Sequence, residues 1–579
     1  MKLVEALEIL RKPAEEKGPR ARIVLAASFT PLHLKTFIEA HLRAKCNAIR
    51  VEIQTGLFGD LIGNVERADS SAIDSLVVPI EWSDLDPRLG IRSLGGWRPG
   101  DLAEIVESAG LSAQRLKRAL AHTSVQVPTI VSLPTLPLPP MFVTRPNQAG
   151  DCETRLNGVV ASLAESLSAL QGIRLVNSQH LGVKSCLSGR YDVKSDLSAG
   201  FPYTLAHADA LGEVFAALIA PPPAMKGLIT DLDDTLWSGI VGDDGVDGIS
   251  WGLDHHSQMH GLYQQVLASL AGAGILIGVA SKNEPSTVAR AFERRDLLLS
   301  KNDIFPLEAN WSRKSASVER ILKAWNVGAE SVMFIDDNPL EIEEVQAAFP
   351  EMICRRFLTN DYLGIWQLLS DLRNAFGKSV VKEEDALRLQ SIRSANTQQE
   401  DDRSGETSAD EYLKKAEAVI VFDLDGSADD SRAFELINKT NQFNLNGQRL
   451  THSEWRASLS HPGAFLLTAS YKDKYGALGT IAVVMGNKVG RKIAVKNWVM
   501  SCRAFSRRIE HQCLKYMFET FGVDEVVFDY QATSRNGPIQ RFMAELLTVP
   551  LASEANLTRD AFFSSLPQLF HRVEVRVDV

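Results

Sequence analysis

Two carboxylates and a threonine close the run Gly227-Leu-Ile-Thr-Asp231-Leu-Asp233-Asp234-Thr235-Leu-Trp237-Ser-Gly239. The apolar start of that run reads as a strand, so the acids fall at its carboxyl end, where open α/β sheets bind ligands. Asp231 suits a nucleophile toward a phosphoryl group, and Asp233 suits an acid that protonates the leaving oxygen and then activates water. A phosphate dianion does not approach bare carboxylates, so the site calls for Mg2+, with Asp231 and Asp336 as ligands. Three further stations follow in order: Val-Ala-Ser281-Lys-Asn, the Lys314 of Trp-Ser-Arg-Lys-Ser, and Val-Met-Phe-Ile-Asp336-Asp337-Asn338-Pro. Thr235 and Ser281 offer hydroxyls to phosphoryl oxygens, and Lys314 offsets developing charge. Asp337 either ligates the cation or stands behind it.

A second chemistry is written around Cys502, which follows the strand-like run 493–500 and precedes the helix-like run 508–521. A thiolate there faces a helix N-terminus and the cations Arg503, Arg507 and Arg508, which favour the nucleophilic form. A thioester at Cys502 can pass its acyl group to a phosphopantetheine thiol, with His511 as base if the turn brings it back. The plain alternative is a buried, inert cysteine, which is the reading for Cys513. The polar run Asn438-Lys-Thr-Asn441-Gln-Phe-Asn444 either caps a helix and turns, or lines an acyl pocket through Asn438 and Asn441. Thr533-Ser-Arg-Asn536-Gly-Pro538 reads as the start of a helix.

The elements that must position these groups divide the 579 residues into four segments. In 1–222, strand-like runs at 23–27, 48–53 and 129–133 alternate with helix-like runs at 32–42 and 102–122, the pattern of a parallel sheet. Pro221-Pro-Pro breaks the chain before the acidic motif. Residues 225–377 alternate again, with strands at 227–230, 276–280 and 332–335, and form a doubly wound parallel sheet. Residues 378–412 are polar and charged, a linker. Residues 413–579 carry strand-like runs at 418–423, 464–471, 479–485, 493–500 and 526–528, with helix-like runs between them. The overall class is multidomain α/β.

Bulk composition narrows the setting. The net charge of −10 argues against nucleic-acid binding. No apolar run approaches the roughly 20 residues that span a bilayer, so no membrane is expected. The first residues are amphipathic and carry acids, unlike a signal peptide. The 6 cysteines show no C-x-x-C spacing, so neither a zinc site nor a disulfide framework is expected, and the cytoplasm fits best.

In their order, the four stations resemble the haloacid dehalogenase (HAD) phosphotransferase superfamily. Asp231-Leu-Asp-Asp-Thr-Leu-Trp-Ser-Gly-Ile-Val-Gly-Asp-Asp-Gly, Ile437-Asn-Lys-Thr-Asn-Gln-Phe-Asn444 and Met500-Ser-Cys502-Arg are similar to its subfamily IIIC, the FkbH-like proteins, over residues 225–579. The resemblance implies the backbone carbonyl of Asp233 as a further metal ligand. It implies a glyceryl transferase/phosphatase that takes the glyceryl group of 1,3-bisphosphoglycerate, a phosphorylated three-carbon acyl donor. Such an enzyme removes phosphate and loads the acyl group onto the phosphopantetheine arm of an acyl carrier protein, for polyketide or related natural-product biosynthesis. Residues 413–579 also resemble a GNAT acyltransferase fold. That family's glycine-rich CoA loop reads here as Arg503-Ala-Phe-Ser506-Arg-Arg508, which speaks against free acetyl-CoA. The basic stretch Lys488, Arg491, Lys492 and Lys496 either docks an acidic carrier or is a solvated strand edge. Residues 1–222 are similar to an SGNH-hydrolase-like region. Ser28 follows a strand as that family's nucleophile does, but no Gly-Asp-Ser block is present, and Asp192 and His207 do not form the Asp-x-x-His pair. A binding or inactive domain is the expectation there. The competing readings are an Mg-dependent HAD phosphatase with a non-catalytic GNAT-like domain, a CoA-dependent acyltransferase, and a non-catalytic scaffold.

Overall fold

Strands buried on both faces carry apolar residues at successive positions, with alternate ones feeding opposite cores. Two sheets of this chain are built that way. The computed structural model spans residues 1–579 and describes all but 14–19, 46–48, 142–143, 223–224, 379–380, 382–384, 386–387, 391, 394–409, 411–412, 415, 425, 475, 502–503, 506, 534, 548–553 and 577–579. The chain divides into two units. One is Met1–Pro222 with Leu450–Ser458, and the other is Pro223–Arg449 with Leu459–Val579. Among the described residues, no helix is long and apolar enough to cross a membrane.

The first unit holds a parallel sheet of β1 (Arg20–Leu25), β2 (Arg50–Thr55), β3 (Ser75–Pro79), β4 (Thr129–Ser132) and β5 (Ile173–Leu175), in the order β2-β1-β3-β4-β5. In β1, Val24 joins one core while Ile23 and Leu25 join the other. The chain reverses direction across the sheet between β1 and β3, the kind of position where a crevice opens at the carboxyl ends of the strands. Leu450–Ser458 is tied here by the Ser453 amide, which donates to Asp74 at 2.9 Å.

The second unit opens with another parallel sheet: β6 (Gly227–Thr230), β7 (Leu276–Ser281), β8 (Ile304–Ala309), β9 (Val332–Asp336) and β10 (Ile353–Arg356), in the order β10-β9-β6-β7-β8. Here Leu228, Ile277, Val279, Met333 and Ile335 face one core and Ile229, Leu276, Ala280, Val332 and Phe334 the other. The reversal falls between β6 and β9, the two strands that carry the acidic motifs. Helix Lys314–Trp325 lies on this sheet through a buried stripe of Lys314, Ser317, Val318, Ile321, Leu322 and Trp325. Trp325 comes so close that a Cβ on Gly227 or Gly278 would sit 2.4 or 2.8 Å from its ring. Glycine at those two positions lets the helix seat, and its first residue, Lys314, is thereby held over the strand ends.

The same unit continues into a mixed sheet of β11 (Val419–Asp423), β12 (Phe443–Asn444), β13 (Ala464–Asp473), β14 (Gly476–Val489), β15 (Lys492–Met500), β16 (Glu525–Asp529), β17 (Glu554–Thr558) and β18 (Arg572–Val575). Its order is β17-β16-β15-β14-β13-β11-β18, with β12 on β15. The strand-like and helix-like runs read from sequence in this region all form, with ends moved by a few residues.

Candidate functional site

The carboxyl ends of β9, β6 and β7 bring the four sequence stations to one place. Asp336 and Ser281 are the last residues of β9 and β7, and Asp231 directly follows β6, with its amide donating to the Ile335 carbonyl at 2.9 Å. The carboxylates of Asp231, Asp336 and Asp337 offer oxygens that lie within 4.8 Å of one another. Lys314 stands among them, its Nζ 2.6 Å from Asp231 Oδ1 and 2.8 Å from Asp336 Oδ2, and donates to the Ala280 carbonyl at 2.8 Å. The Lys314 side chain is only 3% exposed and that of Asp336 0%.

Three carboxylates around one ammonium leave an excess of negative charge in a buried place. Burial, with the charge of Asp231 next, raises the pKa of Asp336, although Lys314 and the Asn338 amide oppose this. Burial and the charges of Asp231 and Asp234 raise that of Asp337. Burial disfavours the Lys314 ammonium, but Asp231 and Asp336 outweigh it and hold its pKa above the usual lysine value. The buried Asp231 Oδ1 makes its close ion pair with Lys314 yet receives no hydrogen bond of good geometry. An oxygen left that way, in a set of hard oxygen donors, suits a divalent cation such as Mg2+.

Asp233 is held differently. Its Oδ1 accepts from Trp237 Nε1 at 2.9 Å and the Val241 amide at 3.1 Å, and its Oδ2 accepts from Asn283 Nδ2 at 2.9 Å. Its carboxylate is outside the group of three. The turn that carries it places Asp234 at φ 51, a left-handed conformation that aspartate tolerates better than most residues. Thr235 is fully buried, and its hydroxyl reaches Asp337 Oδ1 at 3.5 Å, the outer limit of a hydrogen bond. Sequence reasoning passed over Asn283 and Trp237, although both stand inside the quoted motifs. Their signal is a side-chain donor within a few positions of a motif carboxylate or hydroxyl.

No family model matches the chain, and no curated protein matches it either. Among solved structures, the chain is similar to the N-terminal part of the protein BF1531 from Bacteroides fragilis, containing a phosphatase domain and complexed with Mg. The likeness has 19% identity and a TM-score of 0.53, and covers 66% of this chain and 100% of that one. It shows a shared fold: mixed α/β, with parallel sheets and more than one domain. The N-terminal domain of Candida albicans trehalose-6-phosphate phosphatase aligns at 10% identity over 66% of this chain and 94% of its own, but its TM-score of 0.12 carries no argument.

The other sequence candidates that are described have partners elsewhere. Cys502 and Arg503 lie outside the described residues. His511 is partly buried, with Nδ1 3.5 Å from Glu510 Oε1 and its ring edge-on to Phe542 at 5.2 Å. Two of the arginines expected beside the thiol have protein partners. Arg507 is buried near Asp473 and over the Tyr471 ring, and Arg508 reaches Asp410 and the Gln568 carbonyl, both at 2.7 Å. Three residues of the basic stretch are likewise paired, Arg491 with Asp524, Lys492 with Glu525 and Lys488 with the Phe521 carbonyl. Asn438 donates to the Phe434 carbonyl of its own helix at 3.2 Å, and Asn441 accepts from Arg449. Both bonds are local, as a helix end and turn require.

The rest of that polar run closes a fork. β16 pairs with β15 only through Lys492–Val495, and beyond that Phe443 and Asn444 take up the free edge opposite Met500 and Val499. The Leu445 amide donates to the Trp498 carbonyl at 2.9 Å, and the Leu445 carbonyl accepts from the Gln531 amide at 3.1 Å. Asn536, fully buried, donates to the carbonyls of Asn444 and Gln531, both at 2.9 Å, and opens helix Gly537–Leu546 with Pro538 in its first turn.

In the first unit, Ser28 hydrogen-bonds Asp84, and Asp192 caps helix Val193–Ala199. His207 is fully buried, with Nε2 2.9 Å from Thr135 Oγ1 and Nδ1 2.9 Å from Ser185 Oγ. Thr135 donates its hydroxyl to Glu81, so it accepts from Nε2–H, and Ser185 donates to Nδ1. Burial, then the Arg190 charge, pushes the His207 pKa down to about 3. Burial likewise raises Glu81 to about 7, despite donors from Thr135, Tyr203 and Leu136.

Proposed function

We propose that this chain is an Mg2+-dependent phosphoryl-transfer enzyme of the HAD type that releases phosphate by way of Asp231. One observation carries the reading: Asp231, Asp336, Asp337 and Lys314 converge at the switch point of a parallel sheet, with three carboxylates set against one ammonium. The Mg complex of the structural neighbour supports the choice of ion. Asp231, Asp336 and Asp337 would hold it, with the Asp233 carbonyl as the resemblance implies. Bound there, the ion supplies positive charge to phosphoryl oxygens among the carboxylates.

The chain's own residues do the rest. A carboxylate oxygen of Asp231 attacks phosphorus, and the ester oxygen departs with a proton from Asp233. Water then attacks the aspartyl-phosphate as Asp233 takes back a proton; the bond from Asp231 to phosphorus breaks and phosphate leaves. Lys314, ion-paired with Asp231, opposes the charge that gathers on the phosphoryl group. The Ser281 hydroxyl faces the same strand ends.

The fuller reaction we infer is glyceryl transfer from 1,3-bisphosphoglycerate to an acyl carrier protein, with Cys502 as the acyl relay. The intervals between Asp231, Ser281 and Lys314 hold short helices, helix Gln258–Gly272 and β8, but no separate domain, which supports access by a partner as large as a carrier. A second reading keeps the phosphatase and makes the C-terminal sheet non-catalytic; it is favoured by the protein partners of Arg507, Arg508 and the basic stretch. One experiment separates them. The full chain is mixed with Mg2+, 1,3-bisphosphoglycerate and a carrier, and phosphate and carrier mass are followed. Asp231→Asn is expected to lower phosphate release by about 1,000-fold or more, since a nucleophile is lost; retained release overturns the phosphoryl reading. Cys502→Ala is expected to stop carrier loading. Phosphate release without loading by the wild type favours the second reading.

A further inference from the structure

Asn283 ends the motif Ser281-Lys-Asn and is only 4% exposed. Its Nδ2 donates one hydrogen to Asp233 Oδ2 at 2.9 Å and the other to Ser281 Oγ at 3.0 Å. The carboxylate fixes which end of the carboxamide faces it, because only the nitrogen donates. Both hydrogens of one nitrogen are therefore committed, and they join the acid of the pocket to its hydroxyl.

That bond sets a polarity. Ser281 Oγ accepts from Asn283, so its own hydrogen is directed elsewhere, and among the described hydrogen bonds it has no acceptor. Ser281 is 3% exposed and ends β7, beside the strand that leads to Asp231. A buried hydroxyl whose hydrogen lacks an acceptor is a donor waiting for an anionic oxygen. The same nitrogen supplies one of the three donors that orient Asp233, with Trp237 and Val241 on the other oxygen.

We propose that Asn283 is a positioning residue for phosphoryl transfer: it turns the Ser281 hydrogen toward a phosphoryl oxygen and, through the same nitrogen, aims the Asp233 carboxylate. The inference rests on the phosphoryl reading of the pocket. Asn283→Asp tests it with almost no change of shape. A carboxylate at this position cannot donate, draws the Ser281 hydrogen to itself and repels Asp233.

The full chain with Mg2+ is assayed on p-nitrophenyl phosphate, and tungstate binding is measured by calorimetry. Asn283→Asp is expected to lower kcat/KM by roughly 100-fold and to weaken tungstate by about tenfold, with Asn283→Ala between it and the wild type. In a Ser281→Ala background the tungstate effect of the uncharged Asn283→Ala is expected to vanish, because the hydroxyl that Asn283 turns is gone. Asn283→Ala is expected to lower kcat less in Asp233→Asn than in the wild type. If both Asn283 variants lower only the melting temperature, or if the tungstate effect of Asn283→Ala persists in Ser281→Ala, Asn283 is merely structural and the proposal falls. A wild type that neither cleaves phosphate esters nor binds tungstate overturns the phosphoryl reading and this inference with it.

Discussion

Both parallel sheets gather buried polar side chains past the carboxyl ends of their strands, yet the two places are built to opposite rules. Past the ends of β3 and β4, Glu81, Thr135, His207, Ser185 and Tyr203 form a chain in which Thr135, Tyr203 and the Leu136 amide donate to Glu81 and both nitrogens of His207 are bonded. Between β6 and β9, three carboxylates crowd one ammonium that ion-pairs with two of them, Asp231 and Asp336. A buried polar group costs little when paired and much when left over. The first arrangement contributes fold stability, whereas the second costs stability and is repaid when a cation arrives. Buried titratable groups are common to both places; the excess of carboxylates over ammonium is particular to the second.

Lys314 gives the largest stability test of that contrast. Lys314→Met removes the only ammonium within ion-pair reach of Asp231 and Asp336 among the described residues. Stranding buried carboxylates typically costs about 3–5 kcal/mol. The metal-free variant is expected to melt well below the wild type, and millimolar Mg2+ is expected to recover much of the loss by binding the folded form. A melting loss indifferent to Mg2+ would show that the pocket does not hold the ion.

Glu81 supplies the counterpart, and here the sign is set by pH. Its folded pKa, about 7, is raised above the ordinary value of 4.5. Its contribution is fully present below pH 4.5 and is lost as pH rises through about 7, a swing of about 3 kcal/mol. His207 runs the other way, since its pKa is lowered from 6.5 to about 3; its contribution is present above 6.5 and is lost as pH falls toward 3. The two slopes oppose each other between pH 4.5 and 6.5. Glu81→Gln removes one of them and sets an amide against donors from Thr135 and Tyr203. The variant is expected to be least stable relative to the wild type at low pH, with the gap narrowing toward pH 8 and no response to Mg2+. Denaturant unfolding across that range checks it, and a gap that widens with pH would reverse the assignment of the proton.

How much of this was visible in the residues follows from how local each signal is. Asp231, Asp336, Ser281 and Lys314 are each fixed by a strand end or a helix start a few residues away, so their convergence was legible from four motifs and their order. Lys314 even advertises itself as a charge in an apolar helical stripe. β8 and β10 were not read, because Ile304–Ala309 is broken by Pro306 and Ile353–Arg356 ends in two arginines. The partners of His207 lie far along the chain, at Thr135 and Ser185, and no spacing rule connects them. Asn438 and Asn441 were read as two things at once, and their bonds to Phe434 and Arg449 are the local kind that side-chain amides make wherever a helix ends.

Asp337 sharpens the contrast with the smallest expected effect. It is half-buried, and burial followed by the charges of Asp231 and Asp234 raises its pKa, so its ionisation works against the metal-free fold. Asp337→Asn relieves that repulsion and is expected to stabilise the metal-free protein at neutral pH by roughly 0.5 kcal/mol, a figure kept small by solvent screening of a half-exposed group. The gain should fade as pH falls through the ordinary carboxylate range, where the wild-type Asp337 is itself protonated. With Mg2+ the order should invert. An ion held directly by Asp337 loses a ligand in the variant, and the Mg2+-induced rise in melting temperature should shrink markedly. If Asp337 only stands behind the ligands, that rise should be nearly unchanged, and the ion would rest on Asp231 and Asp336 without it.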